Sequence, residues 1–183
     1  MIHLSNRSVV SVGGADARKF LQGLVTNNVE KVTPTNAVYA AMLTPQGKYL
    51  FDFIMHEHEG AILLDVESAR AGELVKKLSM YKLRSAVEIK LTDLAVYHDA
   101  EKGVKDPRHI KLGRRLITSS QAPRNDDFES YQRLCNQIGL PNLVPEQSYI
   151  MKEGFEALNG VDFNKGCYVG QEVTARMKYR AKL

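Results

Sequence analysis

A hairpin of two apolar strands occupies residues 38–56. Aliphatic and aromatic residues dominate Val38–Thr44 and Tyr49–His56, and Pro45-Gln46-Gly47-Lys48 between them has the composition of a tight turn. Successive side chains of a strand point to opposite faces, so the second strand divides into Tyr49, Phe51, Phe53 and Met55 on one side and Leu50, Asp52 and Ile54 on the other. Both sets are apolar apart from Asp52, which predicts a central strand covered on both faces.

Similar patterns predict the remaining elements. Period-two runs indicate strands at 7–12, 61–66, 87–91 and 94–98, with an edge strand at 115–118. Helical spacing of apolar residues indicates helices at 16–24, 68–82 and 128–138, and residues 119–127 form a polar connection. Strands and helices do not alternate as they do around a parallel sheet. The fold class is therefore α+β, with mainly antiparallel sheets and packed helices.

Composition limits the class of protein. The chain has 183 residues, 44% hydrophobic and 25% charged, as in soluble globular proteins. It has no apolar run of about 20 residues and no signal or transit segment at its N-terminus, which predicts a cytoplasmic protein without a membrane span. The net charge of +4 is mild, and no basic run is interleaved with aromatic residues, so nucleic-acid binding has little support.

Asp52 is unusual because a carboxylate on a buried strand is costly unless it is paired or hydrogen-bonded. One interpretation is an aspartate at a cavity edge, bonded to a backbone amide or an arginine. The other is a carboxylate aimed at a ligand amine. The sequence leaves both open.

A second unusual segment is Lys165-Gly166-Cys167-Tyr168-Val169-Gly170-Gln171-Glu172. It combines a thiol, a cation, an amide and a carboxylate, which indicates a loop that holds a partner. Lys165 would stabilise a thiolate, yet a buried structural cysteine is the commoner use of a lone thiol. Gln171 and Glu172 suit a heterocyclic ligand, or they tie the loop down. Cys135, in a helix-like segment, is predicted to be packed.

Metal binding is not indicated elsewhere. His56-Glu57-His58 places two imidazoles on one face of a strand, but no third ligand lies nearby in the sequence. Neither cysteine has the spacing of a disulfide framework or a zinc site.

The segment 165–172, with Arg176 downstream, resembles the signature of the YgfZ family, folate-binding relatives of the glycine-cleavage T-protein (GcvT). Phe20–Asn28 resembles the family's early helix and Thr-Asn turn, Leu43–Asp52 its hairpin, and Leu158–Asn164 the run into the signature. The resemblance covers the chain, most weakly at 98–127. It implies a GcvT-like folate-binding fold over residues 1–183, with two α+β subdomains, about 1–50 plus 140–183 and about 51–139.

The resemblance also implies a function. We expect a tetrahydrofolate-binding accessory protein that supports iron–sulfur cluster assembly or repair, with iron–sulfur proteins or the assembly machinery as partners and tRNA-modifying enzymes among the clients. The implied catalytic residues are Cys167 and Asp52. The implied folate-binding residues are Asn27, Asp52, Lys165, Tyr168, Gln171, Glu172 and Arg176.

Two other functions remain open. One is an aminomethyltransferase-like one-carbon transferase, in which Asp52 orients or deprotonates the attacking amine. The other is a non-catalytic interaction module, because the family's C-terminal β-barrel is expected to be missing from a sequence that stops at Leu183. Whether Cys167 acts as nucleophile, ligand or redox thiol is also open.

Overall fold

Two antiparallel sheets form the framework of the protein. A computed structural model describes residues 1–119 and 127–180. The strands are β1 (Ile2–His3), β2 (Arg7–Gly13), β3 (Val38–Leu43), β4 (Tyr49–His58), β5 (Ala61–Glu67), β6 (Glu88–Leu91), β7 (Leu94–Asp99), β8 (Val104–Lys105) and β9 (Arg114–Ser119). The helices are α1 (Ala17–Gln22), α2 (Ala71–Lys82), α3 (Phe128–Ile138) and α4 (Gln171–Arg180).

The strands form a five-stranded sheet in the order β3-β4-β5-β2-β6 and a four-stranded sheet in the order β1-β7-β9-β8. Every strand pair is antiparallel, so the predicted α+β class is confirmed. The predicted subdomain boundary near residue 50 crosses the larger sheet, where β3 pairs with β4, and the division into two subdomains stays a prediction.

The five-stranded sheet is covered on both faces, as the hairpin pattern predicted. On one face Phe51, Phe53 and Met55 pack with residues of α1 and α2. On the other face, Ile54 packs with residues of the segment 150–168, and the four-stranded sheet and α3 enclose a third cluster around Leu63. Burial of each large apolar side chain stabilises the fold by about 1.5–3 kcal/mol, so these layers hold the sheet in place.

A β-bulge changes the facing of the first residues of β4. Leu43 pairs with Tyr49 and Met42 with Phe51, so Leu50 is an extra residue in the ladder. Leu50 therefore packs with Phe51, whereas Tyr49 lies in the cluster on the opposite face. The prediction that Tyr49 shares a face with Phe51 is wrong, because strict alternation does not hold across a bulge.

The predicted helix at 68–82 is present as a 3-10 turn over Ser68–Arg70 followed by α2. The predicted edge strand at 115–118 is β9, which instead lies between β7 and β8, although β8 pairs only with its first two residues. Most of the predicted connection at 119–127, and the last residues at 181–183, lie outside the described part of the chain. None of the described helices is long and apolar enough to cross a bilayer.

Candidate functional site

Two tyrosine hydroxyls hold the carboxylate of Asp52. Tyr39 on β3 donates to Oδ2 at 2.8 Å, and Tyr49 donates to Oδ1 at 2.6 Å. Burial first, and then the charge of Asp52, raise the pKa of both tyrosines above the ordinary value. Both hydroxyls therefore remain protonated donors at neutral pH. Asp52 is half-buried, so the oriented carboxylate keeps lone pairs that a ligand can reach.

A buried ionic network lies on the same side of the five-stranded sheet. Asp65 accepts from Arg7 at 2.6 Å and from Arg115 at 2.6 Å, and Arg115 continues to Asp106 at 3.1 Å. Arg108 completes the chain with a 2.7 Å contact to Asp106. Although burial alone would raise the pKa of Asp65, the guanidinium groups of Arg115 and Arg7 hold it below its ordinary value. Three cations thus share two carboxylates, and the network retains positive charge.

A cavity of about 530 Å³ opens beside this network. Its lining includes Arg7, Glu67, Arg108, Arg115, Phe128 and Tyr131. Asp52 itself is not in the lining, but the Arg108 guanidinium lies 5.7 Å from the ring centroid of Tyr39, which holds Asp52. The volume is within the range of small-molecule sites, and the walls combine aromatic rings with charged groups.

The side chain of Asn27 is used within the fold. Its Nδ2 donates to the carbonyls of Tyr39 at 2.8 Å and Asn159 at 2.7 Å, while Oδ1 accepts from the backbone of Asn28. Thr26 makes a parallel tie, donating to the Gly160 carbonyl at 2.7 Å. The Thr-Asn turn thus fixes the run into the signature against β3. Both amide hydrogens of Asn27 are occupied, and folate binding by this residue stays a prediction.

Lys165 anchors the signature loop to the end of α1. Its buried ammonium donates to the carbonyls of Gln22 at 2.6 Å and Val25 at 2.5 Å, and it lies 4.7 Å from the ring centroid of Tyr168. A cation there satisfies the last carbonyl of α1, at Gln22, and the Val25 carbonyl beyond the helix end. Burial lowers the pKa of Lys165 to about 8, against the opposing effect of Asp162. The structure thus gives Lys165 a positioning role, and its predicted contact with folate stays a prediction.

Cys167 is exposed and free, whereas the next residue, Tyr168, is buried. Tyr168 packs in the same cluster as Tyr39 and Tyr49, the two residues that hold Asp52. The signature and the two tyrosines that hold Asp52 thus share one apolar cluster. Within the described part of the chain, Cys167 forms no hydrogen bond with Asp52. Cys135, predicted to be packed, is half-buried and free.

The remaining predicted site residues begin α4. Gln171 accepts a long hydrogen bond from the Tyr168 amide at 3.4 Å, and Glu172 forms an ion pair with Arg176 one turn later. Glu172 and Arg176 are exposed. These contacts favour the interpretation in which Gln171 and Glu172 tie the loop and α4 together. The exposed side chains of Glu172 and Arg176 remain accessible to a partner.

Sequence reasoning missed Tyr39, Tyr49 and Arg108. A signal for the first was present, since Tyr39 is two positions from Ala41, which pairs with Asp52 on β4. The contact of Tyr49 with Asp52 was missed because the bulge changes the face of Tyr49. Arg108 is distant in the sequence and comes near the site only in the tertiary structure. Within the described residues, no group of three or more His, Cys, Asp or Glu side chains is arranged to hold a metal ion.

The chain is similar to known proteins. Residues 1–158 match the model of the GCVT N-terminal domain. An iron-sulfur cluster assembly factor IBA57 homolog from Neurospora crassa is 32% identical over 97% of this chain and 50% of its own length. Human mitochondrial IBA57 is 30% identical over 94% of this chain and 61% of its own length. The chain thus spans only about half to three fifths of these relatives.

One solved structure is also similar. The glycine cleavage system aminomethyltransferase T from Bartonella henselae aligns with a TM-score of 0.48 and 13% identity, over 77% of this chain and 32% of that chain.

The prediction of a cytoplasmic location is wrong by this comparison. The Neurospora, mouse and human relatives are all named as mitochondrial factors, which contradicts the expectation of a cytoplasmic protein. The prediction rested on the absence of transit character at the N-terminus, and such an absence does not decide location.

The match to the domain model extends over most of the residues that build both sheets. The chain therefore belongs to the GCVT N-terminal domain family.

Proposed function

We propose that this protein is a folate-binding accessory factor of the YgfZ branch that supports iron–sulfur cluster assembly. The domain family and the names of the relatives support the assembly role. The signature at 165–172 supports the branch. Iron–sulfur proteins or the assembly machinery are the partners, and tRNA-modifying enzymes are a client class that follows from the resemblance alone.

The orientation of Asp52 is the observation that carries folate binding. The pterin ring of tetrahydrofolate presents an amino group and a ring N–H side by side, and a carboxylate is the side chain that accepts from both. Tyr39 and Tyr49 fix both oxygens of Asp52 before any ligand arrives, which reduces the ordering cost of binding. The neighbouring cavity, with its aromatic rings and its positive network, suits the aromatic body and anionic tail of a folate.

Cys167 supplies the contact with the cluster pathway. Lys165 and Tyr168 hold its loop against the body of the protein, and the thiol between them faces solvent. An iron–sulfur cluster usually takes four protein ligands, and the chain has two cysteines, one of them on α3. Cys167 therefore acts together with groups of a partner, as a transient ligand or a redox thiol.

Calorimetric titration with tetrahydrofolate tests the folate proposal. Wild type should bind, and Asp52→Asn should lose about tenfold or more in affinity, because one carboxylate acceptor is removed. Asp93→Asn, on an exposed carboxylate, is the matched control and should bind as wild type does. Absence of a binding signal with wild type would contradict the proposal that the protein binds tetrahydrofolate.

A separate assay tests the assembly proposal. Cluster loading of an apo iron–sulfur protein should be accelerated by wild type and not by Cys167→Ser. Equal acceleration by both proteins would remove the thiol from the proposal and leave the folate result untouched. Methylene transfer from an aminomethyl donor to tetrahydrofolate that is lost in Asp52→Asn but kept in Cys167→Ser would favour the transferase alternative.

A further inference from the structure

The β-bulge at Leu50 interrupts the regular pairing at the start of β4. On one side the pairing with β3 skips Leu50, and on the other side β5 pairs with β4 only from Phe53 onward. Leu50 is 4% exposed, so water does not take the place of the missing strand. Buried backbone groups nearly always have hydrogen-bond partners. Groups outside the sheet therefore have to bond the backbone at the bulge.

The segment 144–148 bonds the backbone of Tyr49, the residue before the bulge. The Tyr49 amide donates to the carbonyl of Ser148 at 2.9 Å, and the Tyr49 carbonyl accepts from the amide of Glu146 at 2.8 Å. Glu146 has φ of +59°, a conformation that residues with a side chain rarely adopt. Tyr49 is thus fixed on one side of the bulge, and Leu50 takes a separate partner.

Arg70 is the partner of Leu50. It lies three residues beyond the end of β5, and its Nη1 donates to the Leu50 carbonyl. The guanidinium also lies 4.2 Å from the ring centroid of Phe51, the next residue of β4. Its remaining nitrogens hold the carboxylate of Glu73, with a closest distance of 3.0 Å. The planar, five-donor guanidinium makes these three contacts at once, which a lysine ammonium does not.

The ion pair with Glu73 alone does not explain this arrangement. Glu73 follows Arg70 by three positions at the start of α2, where such a pair is an ordinary surface contact that contributes little to stability. The pair uses Nε and Nη2. It requires neither the bond from Nη1 to the Leu50 carbonyl nor the contact with the Phe51 ring, and the side chain of Arg70 is only 17% exposed. Both additional contacts are made with the bulge.

We propose that Arg70 is a positioning residue of the folate site, which holds the bulge at Leu50 and thereby keeps Tyr49 on the face of Asp52. The inference rests on the proposed function, because Asp52 is the group offered to the ligand. Without the donor from Arg70, β4 relaxes toward regular alternation, which turns Tyr49 to the face of Phe51. Asp52 then loses one of the two hydroxyls that orient it. Arg70 thus acts on the ligand through Tyr49.

Calorimetric titration with tetrahydrofolate measures the effect on affinity. Arg70→Met and Arg70→Gln both remove the guanidinium, and each should weaken binding about three- to tenfold, as expected for the loss of one donor to Asp52. Arg70→Lys keeps a donor for the Leu50 carbonyl and should retain most of the affinity. Val75→Ala is the control for stability, because this half-buried side chain of α2 packs against the core. It should bind as wild type does.

Two further measurements separate positioning from a purely structural role. If Arg70 acts through Tyr49, the double variant Arg70→Met/Tyr49→Phe should lose no more affinity than Tyr49→Phe alone, because the two changes remove the same hydrogen bond. In ligand-free protein, nuclear Overhauser contacts between the Tyr49 ring and Asp52 should be present in wild type and lost in Arg70→Met. A purely structural role would lower the urea midpoint and leave these contacts unchanged.

The outcomes distinguish this inference from the folate proposal. Wild-type affinity of Arg70→Met and Arg70→Gln, multiplied losses in the double variant, or a retained contact between Tyr49 and Asp52 in Arg70→Met would each overturn the role of Arg70. Failure of wild type to bind tetrahydrofolate would overturn the proposed function instead. The contact in ligand-free protein would then still decide whether Arg70 holds the bulge.

Discussion

Tyr49 donates a 2.6 Å hydrogen bond to Asp52 from the same strand, although the two residues are three positions apart. On a regular strand they would face opposite sides. The bulge at Leu50 turns Tyr49 to the face of Asp52, where Tyr39 donates from the neighbouring strand. The irregularity in the ladder thus creates a carboxylate with both oxygens held, which is the central element of the proposed folate site.

The two tyrosines should contribute to ligand affinity more than to stability. Tyr49→Phe and Tyr39→Phe each remove one donor to Asp52, so each should weaken tetrahydrofolate binding by about three- to tenfold. Calorimetry measures the affinity. Tyr179→Phe, at a position that is 63% exposed, should change nothing. Wild-type affinity in both Asp52-contacting variants would show that orientation of the carboxylate is irrelevant to the ligand.

The two glycines of the signature should differ in their tolerance of alanine. Gly170 has φ of +82°, and a Cβ there would lie 2.6 Å from the carbonyl oxygen of Thr44, so Gly170→Ala should lower the free energy of unfolding by about 2–4 kcal/mol. Gly166 has no heavy atom within 4 Å of such a Cβ, and Gly166→Ala should stay within about 0.5 kcal/mol of wild type. Urea denaturation gives both values. Equal stabilities would contradict the close contact between the signature and the β3–β4 turn.

Substitutions of Lys165 and of Cys167 should have different effects, the first on stability and the second on cluster loading. Lys165→Met leaves the carbonyls of Gln22 and Val25 without their donor and should cost about 1–3 kcal/mol of unfolding free energy. Cys167→Ser, at an exposed thiol, should leave stability within about 0.5 kcal/mol of wild type while cluster loading is lost. Chemical denaturation and the loading assay, run on the same preparations, compare them. Wild-type stability of Lys165→Met would show that Lys165 does not anchor the signature loop.

Buried His56 should make the protein less stable as the pH falls. Its pKa is lowered to about 4 in the fold, so between about pH 6.5 and 4 the unfolded chain binds a proton that the native state does not. Stability is therefore complete above about pH 6.5 and is lost progressively toward pH 4, by about 3 kcal/mol for this group. His98, whose pKa burial also lowers, acts in the same direction.

Urea denaturation at several pH values measures this effect. His56→Gln should flatten the dependence between pH 6.5 and 4. His58→Gln, at an exposed position on the same strand, should retain the wild-type slope. If His56→Gln kept the wild-type slope, a group other than His56 would be responsible for the pH dependence of stability.

Local sequence patterns predicted a large part of the fold. The hairpin and α2 follow from the spacing of apolar residues, because periods of two and of 3.6 identify strands and helices. Failures occurred where the chain departs from a period or depends on distant partners. The bulge moved Tyr49, and neighbours on both sides placed β9 inside its sheet.

The candidate site divides in the same way. The sequence by itself determined that Asp52 lies on a covered strand and that an unusual thiol segment occupies residues 165–172, since both are properties of adjacent residues. Only the tertiary structure decided that Asn27 and Lys165 work as ties within the fold, through contacts with residues more than 130 positions away. It also decided that Tyr168 of the signature packs in the same apolar cluster as Tyr39 and Tyr49. Hydrogen bonding and burial depend on neighbours in space, and adjacent residues do not specify those neighbours.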